Sequence, residues 1–430
     1  MQMPEVNPAF SSEEAHALAL DRADELAAFR RFFRLPTANN GKPAIYFCGN
    51  SLGLQSEMAR RELHNALQMW EHRAIESFFE SDDKWLDYHS YLSPAMARLV
   101  GALPEEVVVM NTLTVNLHLM MVSFYRPEGK RRKILIEGGA FPSDIYALSS
   151  QLNYHGFDPA ADLVRLEPKA GEALLHTEDI LEHIRQLGDE LALVMLGGVN
   201  YYTGQWYDMA AITEAGHRAG ARVGWDLAHA VGNVPMQLHD WGPDFAVWCN
   251  YKYVNGGPGT LGGAFVHQRH AQDDSLPRFA GWWGQNREIM FQMGPTFDPE
   301  PGADGWQLST PPILSMAALR GAVEVMDAAG IDRLREKSVQ LTGYLEYLLE
   351  QLTDDRVQLI TPRDAKQRGC QLSLIVKEKG KAVFDAITEA GVICDWREPE
   401  VIRVAPVPLY NTFHEVWRFV QIFQQALSSV

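Results

Sequence analysis

The chain has 430 residues, enough for one large core and a smaller one, and its 46% hydrophobic and 22% charged content is that of a folded protein rather than a disordered one. A formal net charge of −17 repels phosphate backbones and anionic lipid, which excludes nucleic acid and membrane surfaces as expected partners. The four cysteines, Cys48, Cys249, Cys370 and Cys394, stand far apart without a C-x-x-C pair, so neither a disulfide framework nor a zinc ribbon is expected and a reducing cytoplasm fits.

Residues 1–5 lead to Glu13 and Glu14 without a basic segment and a long apolar one, so no secretion signal is expected, and no stretch approaches the roughly 20 apolar residues of a membrane span. Ser11 with Glu14 makes a capping-box pattern ahead of a periodic run to about Phe33, which predicts a helical arm over residues 1–40. Short apolar runs at 107–110, 134–136, 191–196, 223–225 and 245–248 then alternate with helical patterns and predict buried strands. Such alternation implies an α/β fold with a mainly parallel sheet. Asp208 is placed to cap a short helix stopped by Gly220, which completes a βαβ unit. The basic run Lys130-Arg131-Arg132-Lys133 reads as a solvated turn. After an irregular stretch over 279–312, a helical pattern over 315–349 breaks near Gly330, and the domain boundary is placed inside it. The expected division is a large domain over 41–315 and a small C-terminal α/β domain over 316–430. The latter carries strands at 372–376, 392–396 and 402–404, a helix around 382–390 and a final helix from Phe413.

Asp226 ends one apolar strand, and Lys252 follows the next. Pyridoxal phosphate needs such a pair: a lysine amine forms a Schiff base with its aldehyde, and a carboxylate keeps its pyridine nitrogen protonated. Alone, Asp226 would pass for a helix cap and Lys252 for a surface residue. Lys252 sits between Tyr251 and Tyr253 ahead of Gly256-Gly257, a crowded setting suited to a nucleophilic amine. Tyr251 is a candidate phosphate contact or proton carrier, Tyr253 a packing residue. Residues 111–118 pass from strand to helix near Thr114, whose hydroxyl and N–H groups suit a dianionic phosphate as well as a plain cap. Phe141-Pro142-Ser143-Asp144 opens another helix, with Phe141 placed to stack on a flat ring or to staple the helix, and Asp144 to reach the ring edge. His229 is a candidate ring contact, metal ligand or partner of Asp226. Trp282 and Thr310 lie in the long irregular region as phosphate donors or interface residues. Arg403, between Ile402 and Val404, calls for an internal anion such as a substrate carboxylate.

Taken in order, Tyr46-Phe47-Cys48-Gly49-Asn50-Ser51-Leu52-Gly53, residues 111–118, 141–144, Tyr201-Tyr202-Thr203-Gly204-Gln205, 226–233, Tyr251-Lys252-Tyr253, Gly281-Trp282 and 403–410 resemble the kynureninase family. These are fold-type I pyridoxal phosphate enzymes related to the class V aminotransferases, and the resemblance runs from about Tyr46 to Asn411. It implies a mainly parallel seven-stranded sheet sandwiched by helices, with a smaller α/β C-terminal domain. It implies Lys252 as the Schiff-base lysine, Asp226 as the pyridinium partner, Leu113 and Thr114 as phosphate contacts, Phe141 as the ring cover, and Asp144 and His229 as further contacts. Pro142 and Ser143 belong to the same cofactor-binding run. Tyr251, Trp282 and Thr310 would complete the phosphate cup, the last two from the neighbouring subunit of a homodimer, and Arg403 would hold the carboxylate of a small amino acid substrate. Where some relatives carry a serine, this chain has Gly197-Gly198-Val199, so no side-chain contact is expected there, and Trp283 lies outside the match.

The implied reaction is hydrolysis of L-kynurenine or its 3-hydroxy form to anthranilate or 3-hydroxyanthranilate plus L-alanine, in tryptophan catabolism and supply of NAD precursors. Lys252 would be the general base and Tyr251 the acid. Three rivals make different demands. A cysteine desulfurase or aminotransferase shares the fold, and the desulfurase needs a mobile catalytic cysteine. A metal hydrolase would gather Asp226, His229, His239 and Asp240. A binding module would leave Lys252 inert.

Overall fold

The strands of the large sheet are apolar at successive positions because both faces are covered. In the computed structural model, β2 (Val107–Met110), β3 (Lys133–Glu137), β4 (Leu163–Leu166), β5 (Leu191–Gly197), β6 (Arg222–Asp226), β7 (Phe245–Cys249) and β8 (Gly262–Val266) form one sheet in the order β2-β8-β7-β6-β5-β3-β4. The run β7-β6-β5-β3-β4 is parallel, and β8 and β2 close one edge antiparallel. Side chains alternate across it. Val108, Ile134, Ile136, Leu193, Met195 and Val247 join one core with residues of helix Leu113–Phe124 and helix Pro142–Tyr154. Val109, Leu135, Val194, Leu196, Trp225 and Trp248 join the other, with helix Met209–Arg218 and helix Ile313–Ala329. Asp208 caps helix Met209–Arg218 through Ala211 N–H, as its position predicts.

The structure describes residues 10–38, 41–80, 82–271, 273 and 275–430, so residues 1–5, read above for a secretion signal, lie outside it. Among the described residues no helix is long and apolar enough to cross a membrane. A four-stranded antiparallel sheet, β12 (Asp395–Arg397), β13 (Val401–Val404), β10 (Leu372–Val376) and β9 (Val357–Leu359), lies toward the C-terminus with helix Gly380–Glu389 and helix Phe413–Ser429. The long helical pattern divides at Gly330 into Ile313–Ala329 and Ile331–Glu350. Strand β1 (Ile45–Tyr46) pairs with β11 (Val392–Ile393), so an early segment is stitched to a late one.

Four expectations change. The predicted single helix to Phe33 is helix Glu14–Ala23 followed by a separate turn of 3-10 helix, Ala27–Phe32. Ser11 makes no capping box: Glu13 is the cap and contributes no side-chain bond. The break falls at Asp24, whose carboxylate accepts from Leu26 N–H and pairs with buried Lys337, a local competitor to the helix ladder. The strand expected at 392–396 splits at Cys394, its first part in the pair with β1 and its second in the four-stranded sheet. Strands β4 and β8 carry no clear strand signal; Gly262 and Gly263 disguise β8, where a Cβ at 263 would collide with the Trp248 ring. The basic turn at 130–133 is paired as well as solvated, with Lys130 on Asp189, Arg132 on Asp162 and Lys133 on Glu190.

Candidate active site

Three strand ends meet at one rim of the large sheet. Glu137, Gly197 and Asp226 are the last residues of β3, β5 and β6, and the pairing of β5 with β6 sets Gly197 opposite Asp226. The carboxyl rim of an open parallel sheet is where the crossovers leave a ligand crevice. Asp226 is fixed there by Ala228 N–H, which donates to Oδ1 at 2.7 Å, and its backbone carbonyl accepts from Gly198 N–H at 2.7 Å. Lys252 arrives three residues past the end of β7, with its amine 5.9 Å from the centre of the Tyr251 ring.

One cavity collects most of the predicted residues. Leu113, Thr114, Phe141, Ser143, Asp144, Asp226, His229, Tyr251 and Lys252 line it. Glu137, Gly197, Val199, Tyr201 and Ala228 line it as well, although no role is legible for them in the sequence and Val199 falls where no contact is expected. Asn111, held at φ 45°, turns the chain from β2 into helix Leu113–Phe124. Thr112, the cap of that helix, offers no side-chain bond to its first N–H groups. Those groups are the natural seat of an anion. Thr114 Oγ1 lies 3.0 Å from Ser143 Oγ, which joins the two helix starts. Pro142 takes the first turn of helix Pro142–Tyr154, where its missing N–H costs nothing, and does not itself line the cavity. Phe141 is half-exposed and meets Tyr201 edge-on at 5.2 Å, so it is no staple.

The cavity wall is acidic, and burial governs its protons. Burial and the charge of Asp226 push the Asp144 carboxyl far above the ordinary range. Asp226 is also raised by burial, but the hydrogen bond from Asp144, Ala228 N–H and the Lys252 charge oppose the rise. Of the two carboxyls Asp144 is pushed higher, so a proton on the pair resides on Asp144. Burial raises Glu137 to about 7, with both oxygens accepting from Gly197 N–H at 3.1 and 3.3 Å. Burial and then the Lys252 charge push His229 well down, so its imidazole is neutral at pH 7. Burial raises the Tyr251 phenol, which stays protonated.

These groups fit pyridoxal phosphate. Asp144 Oδ1 and His229 Nδ1 are buried without hydrogen-bond partners, atoms that a polar ring at this position would satisfy. The Asp226 carboxyl, the Lys252 amine and a helix start at Leu113 and Thr114 supply what its nitrogen, aldehyde and phosphate each require.

The other predicted residues stand apart. Trp282 is 47% exposed, and exposed Thr310 lines a separate depression against Asn111 and Thr112. Arg403 is fully buried and does not line the cavity. Its Nη1 donates to Tyr201 O at 2.7 Å and its Nη2 to Ser51 Oγ at 3.1 Å and to the Asp395 carboxylate, while Nε has no partner. The metal-site rival does not assemble. Asp226 and His229 sit in the cavity, Asp240 is exposed, and His239 belongs with Glu106, whose oxygens already accept from Leu103 N, Gln268 N and His239 Nδ1.

Residues 334–423 match the family model described as the kynureninase C-terminal domain. The chain is 54% identical over 415 residues to the kynureninase of Koribacter versatilis, covering 96% of this chain and 98% of that one. It is also 54% identical to the kynureninase of Myxococcus xanthus, covering 96% and 97%. Among solved structures it resembles the Escherichia coli cysteine desulfurase CsdA, with a TM-score of 0.76 at 16% identity over 94% of this chain and 99% of that one. The cystine C-S lyase C-DES, solved with its product cysteine persulfide, gives 0.74 at 17% identity over 89% and 97%.

Proposed function

We propose a division of labour among the cavity residues of a chain that belongs to the kynureninase family and hydrolyses kynurenine with pyridoxal 5'-phosphate as its cofactor. When bound, that cofactor supplies an aldehyde for amines and an electron-accepting ring. Lys252 is the amine that carries the aldehyde and, when free, the general base for the substrate α-proton. Asp226 stays charged to face the ring nitrogen because Asp144 keeps the proton of the pair. Leu113 and Thr114 N–H groups and the Thr114 hydroxyl hold the phosphate, and Phe141 covers the ring. Neutral His229 adds a hydrogen bond without a competing charge.

Arg403 takes the substrate α-carboxylate through its unpartnered Nε, a reading supported by its bond to the carbonyl of Tyr201, a residue of the cavity wall. Water adds to the side-chain ketone, and the bond between that carbon and the β-carbon breaks. Tyr251, still protonated, is the donor that returns a proton to the released three-carbon fragment, giving alanine. The observation that carries the reading is the meeting of Lys252 with Asp144 and Asp226 in one cavity.

The finer assignments share this standing. A homodimer with shared sites is supported by Trp282 and Thr310 lying outside their own chain's cavity, and by the exposed aromatic contacts of Trp282 and Phe79 with Phe291, each at 5.8 Å. A division at residue 315 is supported by the separate antiparallel sheet, a cytoplasmic location by four free cysteines, and a role in tryptophan catabolism by the substrate itself.

Cofactor-loaded protein mixed with L-kynurenine or 3-hydroxy-L-kynurenine is expected to release fluorescent anthranilate or its hydroxy form together with alanine. Release from neither substrate would overturn the reaction. Lys252→Ala is expected to lose the lysine-linked absorbance of the bound cofactor, and its retention would show that another amine carries it.

A further inference from the structure

Glu137 closes β3 and is 3% exposed, yet the roles assigned to the other cavity residues leave it without a task. Its carboxyl reaches sideways to the end of β5 and accepts from Gly197 N–H with both oxygens. The fit is close, since a Cβ on Gly197 would stand 3.0 Å from Oε1. Asn200 Nδ2 donates to Gly139 O at 3.3 Å, so the segment 197–201 is tied both to the last residue of β3 and to the turn after it. That segment carries Gly198, whose N–H holds the Asp226 carbonyl. It also carries Tyr201, whose ring meets Phe141 and whose carbonyl takes Arg403 Nη1. One buried carboxyl thus anchors the strand end from which the acid, the ring cover and the substrate arginine all take their positions.

We infer that Glu137 is a positioning residue of this reaction and the third member of its acid set, fixing segment 197–201 and setting the pH at which the site grips its cofactor. The inference rests on the reading that Asp226 faces the ring nitrogen. The charged and titratable groups around Glu137 are Asp226 on β6, Asp144 on helix Pro142–Tyr154, Tyr207 beyond β5, and His229 and Lys252 across the cavity. On the outer side, Arg165 donates to Gly138 O and the Glu167 carboxylate lies where a Gly138 Cβ would fall. Only Lys252 among the cavity groups is cationic, so each further negative charge on the wall favours a protonated ring. Burial places the Glu137 titration in the neutral range, where the protonated form behaves like an amide and the ionised form adds that charge.

Glutamine can accept from Gly197 N–H but cannot ionise, which separates the charge from the scaffold. The cofactor dissociation constant of wild type and Glu137→Gln is measured by quenching of tryptophan fluorescence from pH 6 to 9. The variant-to-wild-type ratio is expected to be near one at pH 6 and to rise to about tenfold above pH 8, one pH unit of coupling. The pH midpoint of the bound cofactor's absorbance shifts in parallel. Gly197→Ala, which presses on Oε1 and keeps every charge, is expected to move that midpoint as well. A ratio that stays flat across pH, with the Gly197→Ala midpoint unmoved, overturns the inference. Failure of the wild-type chain itself to bind the cofactor would instead overturn the reading on which it rests.

Discussion

Gly53→Ala reaches the lysine through its backbone. Gly53 N–H donates to Tyr251 O at 2.7 Å and Leu54 N–H to Asn255 Oδ1 at 3.1 Å, so the segment ending in Ser51-Leu52-Gly53 lies flat on the turn that carries Lys252. A Cβ at position 53 would stand 2.3 Å from Lys252 O and 2.7 Å from Asn255 Cα, where Cβ atoms essentially never come within 3.0 Å. The Lys252 carbonyl must therefore retreat by about 0.7 Å. The neighbouring turn has little slack, because Asn255 already sits at φ 61°. A displacement of about 1 Å in a reacting group costs on the order of 10²-fold in rate, and overpacking costs about 1–3 kcal/mol of stability. The variant is expected to keep its cofactor absorbance, lose roughly 30- to 100-fold in kcat and unfold at lower urea. Anthranilate release is the assay, with Gly294→Ala as the control, since nothing lies within 4 Å of a Cβ there. A folded Gly53→Ala protein whose kcat stays within about threefold of wild type would refute the steric coupling.

Two further outcomes separate scaffold from chemistry. Asp244, at the opposite end of β7 from the site, is 1% exposed and accepts from Val223 N–H, His217, Arg222, Arg269 and His270 at 2.8 to 3.1 Å. Burial alone would raise its carboxyl, but the bonds from His217 and His270 and the Arg269 charge outweigh it and hold the group far below the ordinary range. A depressed carboxylate stabilises the fold above its unfolded value near 3.8 and loses that contribution as pH falls below it. Asp244→Asn is expected to cost about 3–5 kcal/mol in urea unfolding at pH 7 with kcat per folded molecule unchanged, and a loss under about 1 kcal/mol would count against the network. The thiols bear on the desulfurase rival: burial pushes Cys48 up to about 11 and Cys370 up to about 12, and raises Cys249 and Cys394. Iodoacetamide at pH 8 is therefore expected to react slowly and spare activity; a fast thiol whose alkylation stops turnover would reopen sulfur chemistry.

Strands β3, β5, β6 and β7 are legible because a sheet covered on both faces leaves continuous apolar runs. Strand β8 is not, because Gly262 and Gly263 are there to admit Trp248, a neighbour in space. The break at Asp24 depends on Lys337, a partner that no local pattern names. At the site, the place of Lys252, Asp226, Thr114 and Asp144 in the cavity is legible because each lies at or just beyond the end of an element in a motif of recognisable chemistry. Glu137 is not, since its task arises from β3 lying beside β5. A glutamate closing an apolar strand directly before Gly138-Gly139 and four residues ahead of Phe141 is the one signal that points to it.

Arg403 ties the small sheet to the loop that follows β5. It belongs to β13, yet it reaches Tyr201 of the large sheet's loop and Ser51 of the early segment, so the guanidinium proposed for the substrate carboxylate is set by three distant stretches of chain. Its charge is already balanced by Asp395, which also accepts from Arg397 at 3.0 Å and from Ser51. A carboxylate arriving at Nε therefore adds to an existing pair, and its binding draws on a guanidinium whose orientation has been settled in advance rather than on an unpaired charge. An unpaired buried arginine would bind any anion that entered. One held by Asp395 would, in the proposed role, favour an anion whose geometry suits the remaining N–H, and so an amino acid over a simple anion.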